Sequence, residues 1–325
     1  MELYLNTFGT YLHKKGEMFE VRIEDESRRI SPKRISAIVI SNAAQITTDA
    51  IQLALEYNID IVFLDKFGNP YGRVWLPKLG STTYIRRKLL EIYQQDEGLQ
   101  FVKSWLNRKT DNQLRFLKEI IKKRPSTNFD EQIKEIVRLR AILNNMNGQL
   151  SELANKILGI EGNISRIYFK IISLLIPDRY TFNGRSSRPA KDPFNAFLNY
   201  GYGVLYSKVE KALIIAGLDP YIGLLHTDNY NKKSLVYDFI EPFRILVDET
   251  VFYLFSRRQI KDAFYDEIKK GVTLNEEGKK FFITNLLEHF DKRIKYKGRN
   301  IKMIDQIKID AHAFANFLIG KRKEF

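Results

Sequence analysis

The hydrophobic period of this chain changes once, near residue 80, and that change limits the folds open to it. Before it, apolar residues come in short runs rich in β-branched and aromatic side chains. These are Leu3-Tyr4-Leu5, Phe19-Glu20-Val21-Arg22-Ile23, Ala37-Ile38-Val39-Ile40 and Ile59-Asp60-Ile61-Val62-Phe63-Leu64. Such runs read as strands, the last as a buried one. One helix interrupts them, with Thr48-Asp49 as a cap for the run from Ala50 to Tyr57. Phe67-Gly68-Asn69-Pro70 reads as a turn into a short strand, Gly72-Arg73-Val74-Trp75. After Leu79-Gly80-Ser81-Thr82 the apolar residues recur every three or four positions, as in Leu89, Leu90, Tyr93 and Leu114, Leu117, Ile121. Glycine and proline become sparse. The expected fold is α+β with two domains: a small β-rich domain over 1–80, a linker at 81–84, and a larger all-α domain over 85–325.

A length of 325 residues agrees with two domains. Hydrophobic residues make up 44% of the chain, enough for a real core. Lys and Arg number 53 against 39 Asp and Glu, a net charge of +14. A nucleic acid or another polyanion is the partner such a balance favours. Residues 291–325 are basic too, with ten Lys or Arg against four Asp or Glu. That run reads as a solvated face or as a tail that binds a nucleic-acid backbone. Cysteine is absent, which excludes disulfides and thiolate metal sites. Any metal would be held by oxygen and nitrogen, favouring Mg²⁺ or Mn²⁺ and permitting Zn²⁺. No signal-peptide pattern opens the chain, and no apolar run nears the roughly 18 residues of a membrane span. A cytoplasmic location is expected.

Three potential ligands stand in distinctive strings. Glu161 lies in Gly159-Ile160-Glu161-Gly162, read as the opening of a helix with Arg166 and Tyr168 flanking its apolar stripe. A first-turn glutamate favoured by the helix dipole is the plain alternative. His226 follows a Gly217-Leu218-Asp219-Pro220 turn, after a helix from Phe194 to Ala216. Neutral imidazole is a common metal ligand, though a lone histidine is often only hydrogen-bonded at the surface. Asp238 and Glu241 precede Pro242 and an apolar run. Their spacing reads equally as a capping box, with Asp238 as N-cap and Glu241 as the third helical residue. Arg185, Arg188 and Lys191 occupy a Gly/Ser/Pro loop ahead of a helix capped by Asp192 with Pro193 in its first turn. Guanidinium groups in such a loop suit phosphates, and a solvated loop is the alternative. There is no phosphate-loop, dinucleotide or nucleophile-elbow motif.

Taken in order, these strings resemble the CRISPR-associated integrase family called Cas one. The matching pieces are Glu161-Gly162 with Arg166 and Tyr168-Phe169, then Arg188 through Tyr202, then Ala216 through His226, then Leu235 through Arg244. In the strand-rich head, Gly9, Ile46 through Ala50, and Gly68 with Gly72-Arg73 also fit. The resemblance spans nearly the whole chain. It implies a homodimer joined through the β-rich domain, with a helical catalytic domain. It implies a Mg²⁺ or Mn²⁺ ion held by Glu161, His226 and Glu241, with Asp238 accessory. It further implies a metal-dependent DNA endonuclease and integrase of antiviral defence, in which a 3′-hydroxyl attacks a phosphodiester of the CRISPR leader-repeat and inserts a prespacer. The DNA is double-stranded, and Arg166, Arg185, Arg188 and Lys191 are the candidates for its backbone. The small protein called Cas two is the implied partner. A histidine ligand must be neutral, so activity is expected to fall in acid. Two other classes fit the same residues: a non-catalytic basic DNA-binding scaffold, which would need no divalent cation, and a hydrolase of small phosphate esters, which would not depend on the basic loop.

Overall fold

A computed structural model describes residues 2–65, 70–74, 82–124, 127–187, 189–226 and 232–322. The chain divides into two compact units, 1–80 and 81–325. The first contains β1 (Glu2–Leu5), β2 (Thr10–Lys15), β3 (Met18–Ile23), β4 (Glu26–Ile30), β5 (Ala37–Ile40), β6 (Ala44–Ile46), α1 (Thr48–Glu56), β7 (Asp60–Leu64) and β8 (Pro70–Val74). One sheet runs β1-β5-β7-β8, with the first three strands parallel and β8 antiparallel. The other runs β4-β3-β2-β6. All four residues of β5 are buried, as befits a strand central to its sheet. Leu12, Phe19, Ile38, Leu53 and Ile61 form the core.

Three strands here, β2, β4 and the three-residue β6, escape a reading by hydrophobic runs. In β2, buried Thr10 and Leu12 alternate with polar neighbours. In β4 only Ile30 is buried, and the rest of Glu-Ser-Arg-Arg-Ile is charged or polar, which suits an edge strand. Helix α1 starts two residues earlier than expected, at Thr48, with Thr47 at the N-cap position and no side-chain cap bond. Asp49 instead accepts from the N–H of Ala50 at 2.9 Å. The turn expected at 67–69 and Trp75 lie outside the described residues.

The second unit holds α2 (Thr82–Tyr93), α3 (Asp96–Lys122), α4 (Asp130–Asn144), α5 (Leu150–Leu174), α6 (Pro193–Ile215), α7 (Ser234–Phe239) and α8 (Ile245–Ser256). Then come β9 (Tyr265–Ile268), β10 (Gly271–Leu274), α9 (Glu276–Asp291), β11 (Arg293–Tyr296), β12 (Arg299–Lys302) and α10 (Asp305–Leu318). Helix α8 is apolar almost all round and is buried accordingly. Phe101 and Trp105 on α3 meet Phe314 on α10 edge-on, at 4.7 and 5.4 Å between ring centroids. No helix among the described residues is long and apolar enough to cross a membrane.

Two expectations need correcting. Residues 82–84 are not a linker: they form the first turn of α2, whose Ile85, Leu89 and Ile92 join the core. Nor is this unit purely helical, because β9–β10 and β11–β12 are antiparallel hairpins. The second turns at Lys297 and Gly298, both with positive φ (46° and 77°), the backbone a tight two-residue hairpin requires.

Gly278 marks the tightest approach in this unit. A Cβ there would stand 1.9 Å from the carbonyl oxygen of Phe264, at the start of α9, where Asn275 accepts the Gly278 N–H at 3.0 Å. Gly278→Ala is expected to destabilise the protein by about 3 kcal/mol through overpacking against backbone. Urea unfolding checks this, and a change below about 0.5 kcal/mol would contradict the contact.

Candidate active site

Glu161 does not open a helix. It lies midway along α5, whose buried stripe of Ile157, Ile160, Ile164, Tyr168 and Ile171 continues past Gly159 and Gly162 without a break. The first-turn dipole reading therefore fails. Ser165, one turn on, donates to Glu161 Oε1 at 2.8 Å. Arg166, five residues on, is rotated roughly 140° from Glu161 around the helix and is exposed. The Tyr168 ring is wholly buried, and among the described residues its hydroxyl makes no well-aligned hydrogen bond. Burial pushes its phenol well above the usual range, and nearby Asp248 adds to the rise.

Glu241 opens a one-turn 3-10 helix, Glu241–Phe243, that joins α7 to α8. Its carboxylate is held by two cations. Arg244 donates from Nε to Oε1 at 2.9 Å, and the Lys109 ammonium lies 2.6 Å from Oε2. Oε2 is buried and accepts no aligned hydrogen bond. Burial disfavours the charged form, but Arg244 and Lys109 override it and hold the Glu241 carboxyl down at about 2. The Lys109 ammonium also pairs with Glu161 Oε1. Burial works against its charge too, and the two glutamates more than compensate, raising it above the usual lysine range. Lys109 thus joins Glu161 of α5 to Glu241. Asn112, one turn further along α3, donates to the carbonyl of Pro242 at 2.8 Å. Arg244 is itself fixed by the Tyr206 hydroxyl at 2.9 Å and lies over the Tyr202 ring.

Asp238 is not the N-cap of a helix. It sits inside α7, and its carboxylate turns to the loop before it. The N–H groups of Leu224 and Leu225 donate to Oδ2 at 2.6 and 3.0 Å, and that of His226 to Oδ1 at 3.1 Å. The His226 ring nitrogen Nδ1 lies 2.5 Å from the same Oδ1. Four donors on one carboxylate leave the Asp238 side chain 1% exposed, against 22% for His226. With Nδ1 engaged, Nε2 is the ring nitrogen left to bind an ion. Glu241 follows Asp238 by three residues, so the carboxylate that anchors the imidazole and the second glutamate share one short stretch of backbone.

The basic loop is built on amides. Asp192 caps α6 through the N–H of Asn195 at 2.7 Å. Asn195 and Asn199 accept from Arg185, whose guanidinium also lies over Phe169 and Tyr202. Lys191 is exposed, and Arg188 falls outside the described residues.

The structure thus joins Glu161 to Glu241 through Lys109, and His226 to Asp238. Among the described residues, no three His, Asp or Glu side chains stand together as a ready metal cluster. The donor set still suits a hard divalent cation. It offers two carboxylates and an imidazole, a buried Glu241 oxygen with no aligned donor, and a lysine cation already bridging both glutamates. Lys109, Asn112, Ser165 and Tyr206 were not found by motif. A signal for Lys109 exists, because it interrupts the buried α3 stripe of Val102, Leu106, Leu117 and Ile120.

Residues 3–288 match the family model described as CRISPR associated protein Cas1. The chain is 35% identical to the CRISPR-associated endonuclease Cas1 1 of Archaeoglobus fulgidus, covering 99% of this chain and 98% of that one. It resembles the solved structure of a casposase bound to integration product, at 25% identity and a TM-score of 0.84, over 100% of this chain and 92% of the other. It also resembles a CAS1 protein from Thermotoga maritima, at 26% identity and a TM-score of 0.83, over 98% and 97%.

Proposed function

The chain belongs to the CRISPR-associated Cas1 family, and from that premise we propose that it is a divalent-metal-dependent DNA endonuclease and integrase. In this reading it inserts prespacer DNA into a CRISPR leader-repeat. The observation that carries the reading is the convergence of Glu161 and Glu241, from separate elements, on one cationic group. The relatives' names agree, as does the casposase bound to integration product.

Glu161, His226 and Glu241 would hold the metal, Mg²⁺ or Mn²⁺. When bound, such an ion supplies Lewis-acid stabilisation of charge on phosphodiester oxygens and orients the attacking oxygen. The remaining roles fall to the chain itself. Asp238 fixes the tautomer and direction of His226. Arg244 fixes one oxygen of Glu241, and Ser165 one oxygen of Glu161. Arg166, Arg188 and Lys191 bind backbone phosphates, while Arg185 chiefly shapes the loop between them. Family membership further supports a homodimer through the β-rich unit, a complex with the Cas two protein and a cytoplasmic site of action.

The test is direct. Purified protein with Mn²⁺ is expected to nick duplex DNA and to join a 3′-hydroxyl oligonucleotide to a plasmid, and to do neither with chelator. DNA binding with no product in either condition would favour the non-catalytic scaffold instead, and product formed equally in chelator would overturn the metal dependence. Binding to duplex DNA is expected to weaken with salt. Three phosphate contacts would give a slope of about −2.7 in log affinity against log salt. A flat titration would remove the basic loop from the interface.

A further inference from the structure

Lys109 is the group this reading of the site leaves without a role. Its side chain is 8% exposed, on a helix with ample surface where a lysine could face water. Burying an ammonium is unfavourable unless it is paired, and here the pairing is double. One partner is Glu161 Oε1 on α5. The other is Glu241 Oε2, at 2.6 Å, on the turn after α7. These belong to the two carboxylates assigned above to the metal. An octahedral divalent ion would lie about 2.0–2.1 Å from its oxygen ligands, inside the space that the ammonium fills.

The geometry points to Lys109 as an internal competitor for the divalent cation: ammonium and ion share Glu161 Oε1 and Glu241 Oε2, and only one can be held at a time. The inference rests on the ligand assignment made above. A cavity of about 10 Å³, lined by Leu106, Lys109, Thr110, Leu143, Glu161 and Ile164, borders the ammonium. That is about the room one water needs. The arrangement also sets specificity. A monovalent ion offers the glutamates no more charge than the ammonium it would replace. A small divalent ion offers twice as much, so the site rejects Na⁺ and K⁺ while admitting Mg²⁺ or Mn²⁺. The ammonium keeps the two glutamates together at the same time, which makes Lys109 a positioning residue as well.

The test is a Mn²⁺ titration of the full chain, read by the electron paramagnetic resonance of free Mn²⁺ and by calorimetry. Lys109→Met is expected to bind Mn²⁺ at least tenfold tighter than wild type. In chelator it should melt at a lower temperature, and Mn²⁺ should raise that temperature by more than in wild type. Should the methionine variant not fold, Lys109→Gln carries the same expectation. Glu161→Gln and Glu241→Gln, titrated alongside, are expected to lose Mn²⁺ binding. If they do while Lys109→Met binds no tighter than wild type, the competition is overturned and the ligand assignment stands. If they bind like wild type, the ligand assignment falls and the competition falls with it.

Discussion

Glu241→Gln is expected to lower the rate of metal-dependent DNA cleavage by about 10³-fold or more while leaving the protein folded. The magnitude follows from losing charge stabilisation at the point where charge develops on a phosphate. Glutamine keeps the shape of glutamate and still accepts from Arg244, so the 3-10 turn should persist. What it lacks is the negative charge that both cations hold. Breaking a buried ion pair costs about 3–5 kcal/mol when the remaining charge has no other partner. Here Lys109 keeps Glu161 and Arg244 keeps Tyr206, so the loss should fall at or below the lower end. Cleavage of a labelled duplex and a circular-dichroism melt read the two effects separately. A folded variant cutting within tenfold of wild type would take Glu241 out of the site.

Asp238→Ala is expected to act mainly on stability. It removes the acceptor for three consecutive backbone N–H groups and for the imidazole. Each buried donor left unsatisfied costs about 1–3 kcal/mol, and water reaching the loop recovers part of that. A net loss of about 4 kcal/mol is expected, a large share of the 5–15 kcal/mol that holds typical domains together. Metal affinity should also fall by about 10- to 100-fold, the usual effect of removing the group that orients a histidine ligand. Denaturant unfolding and a Mn²⁺ titration measure the two. A stability change below 1 kcal/mol would mean that the Asp238 carboxylate does not hold the loop.

Most of the fold was legible because the hydrophobic period changes where the chain changes from sheet to helix. Strands β2, β6, β9 and β10 were not, nor were β4, β11 and β12, whose exposed faces carry charge and read as solvated runs. The capping box at Asp238 and Glu241 had the right spacing for a helix start. It failed because α7 begins four residues before Asp238, at Ser234, and the donors that claim the carboxylate lie 12 to 14 residues back. Glu161, His226 and Glu241 could be singled out through their strings. No string places Lys109, which meets Glu161 across 52 residues of sequence and is announced only as a charge on a mostly apolar stripe.

One consequence concerns how the site is referenced within its own unit. Helix α3 is 27 residues long, a rod of roughly 40 Å. Near its middle, neighbouring residues face different parts of the molecule. Arg108 grips buried Asp310 of α10 and lies over the Phe243 ring, 4.9 Å from its centroid. Lys109 grips the two glutamates, and Asn112 the Pro242 carbonyl between Glu241 and Phe243. Asp310 is in turn clasped by Tyr296 and Lys297 of the last hairpin. Among the described residues, the segment from β11 to α10 therefore contributes no carboxylate to the site, yet it serves as the datum from which the position of Glu241 is set. Truncation after α9 would leave every candidate ligand in the sequence and remove the surface against which one of them is aligned.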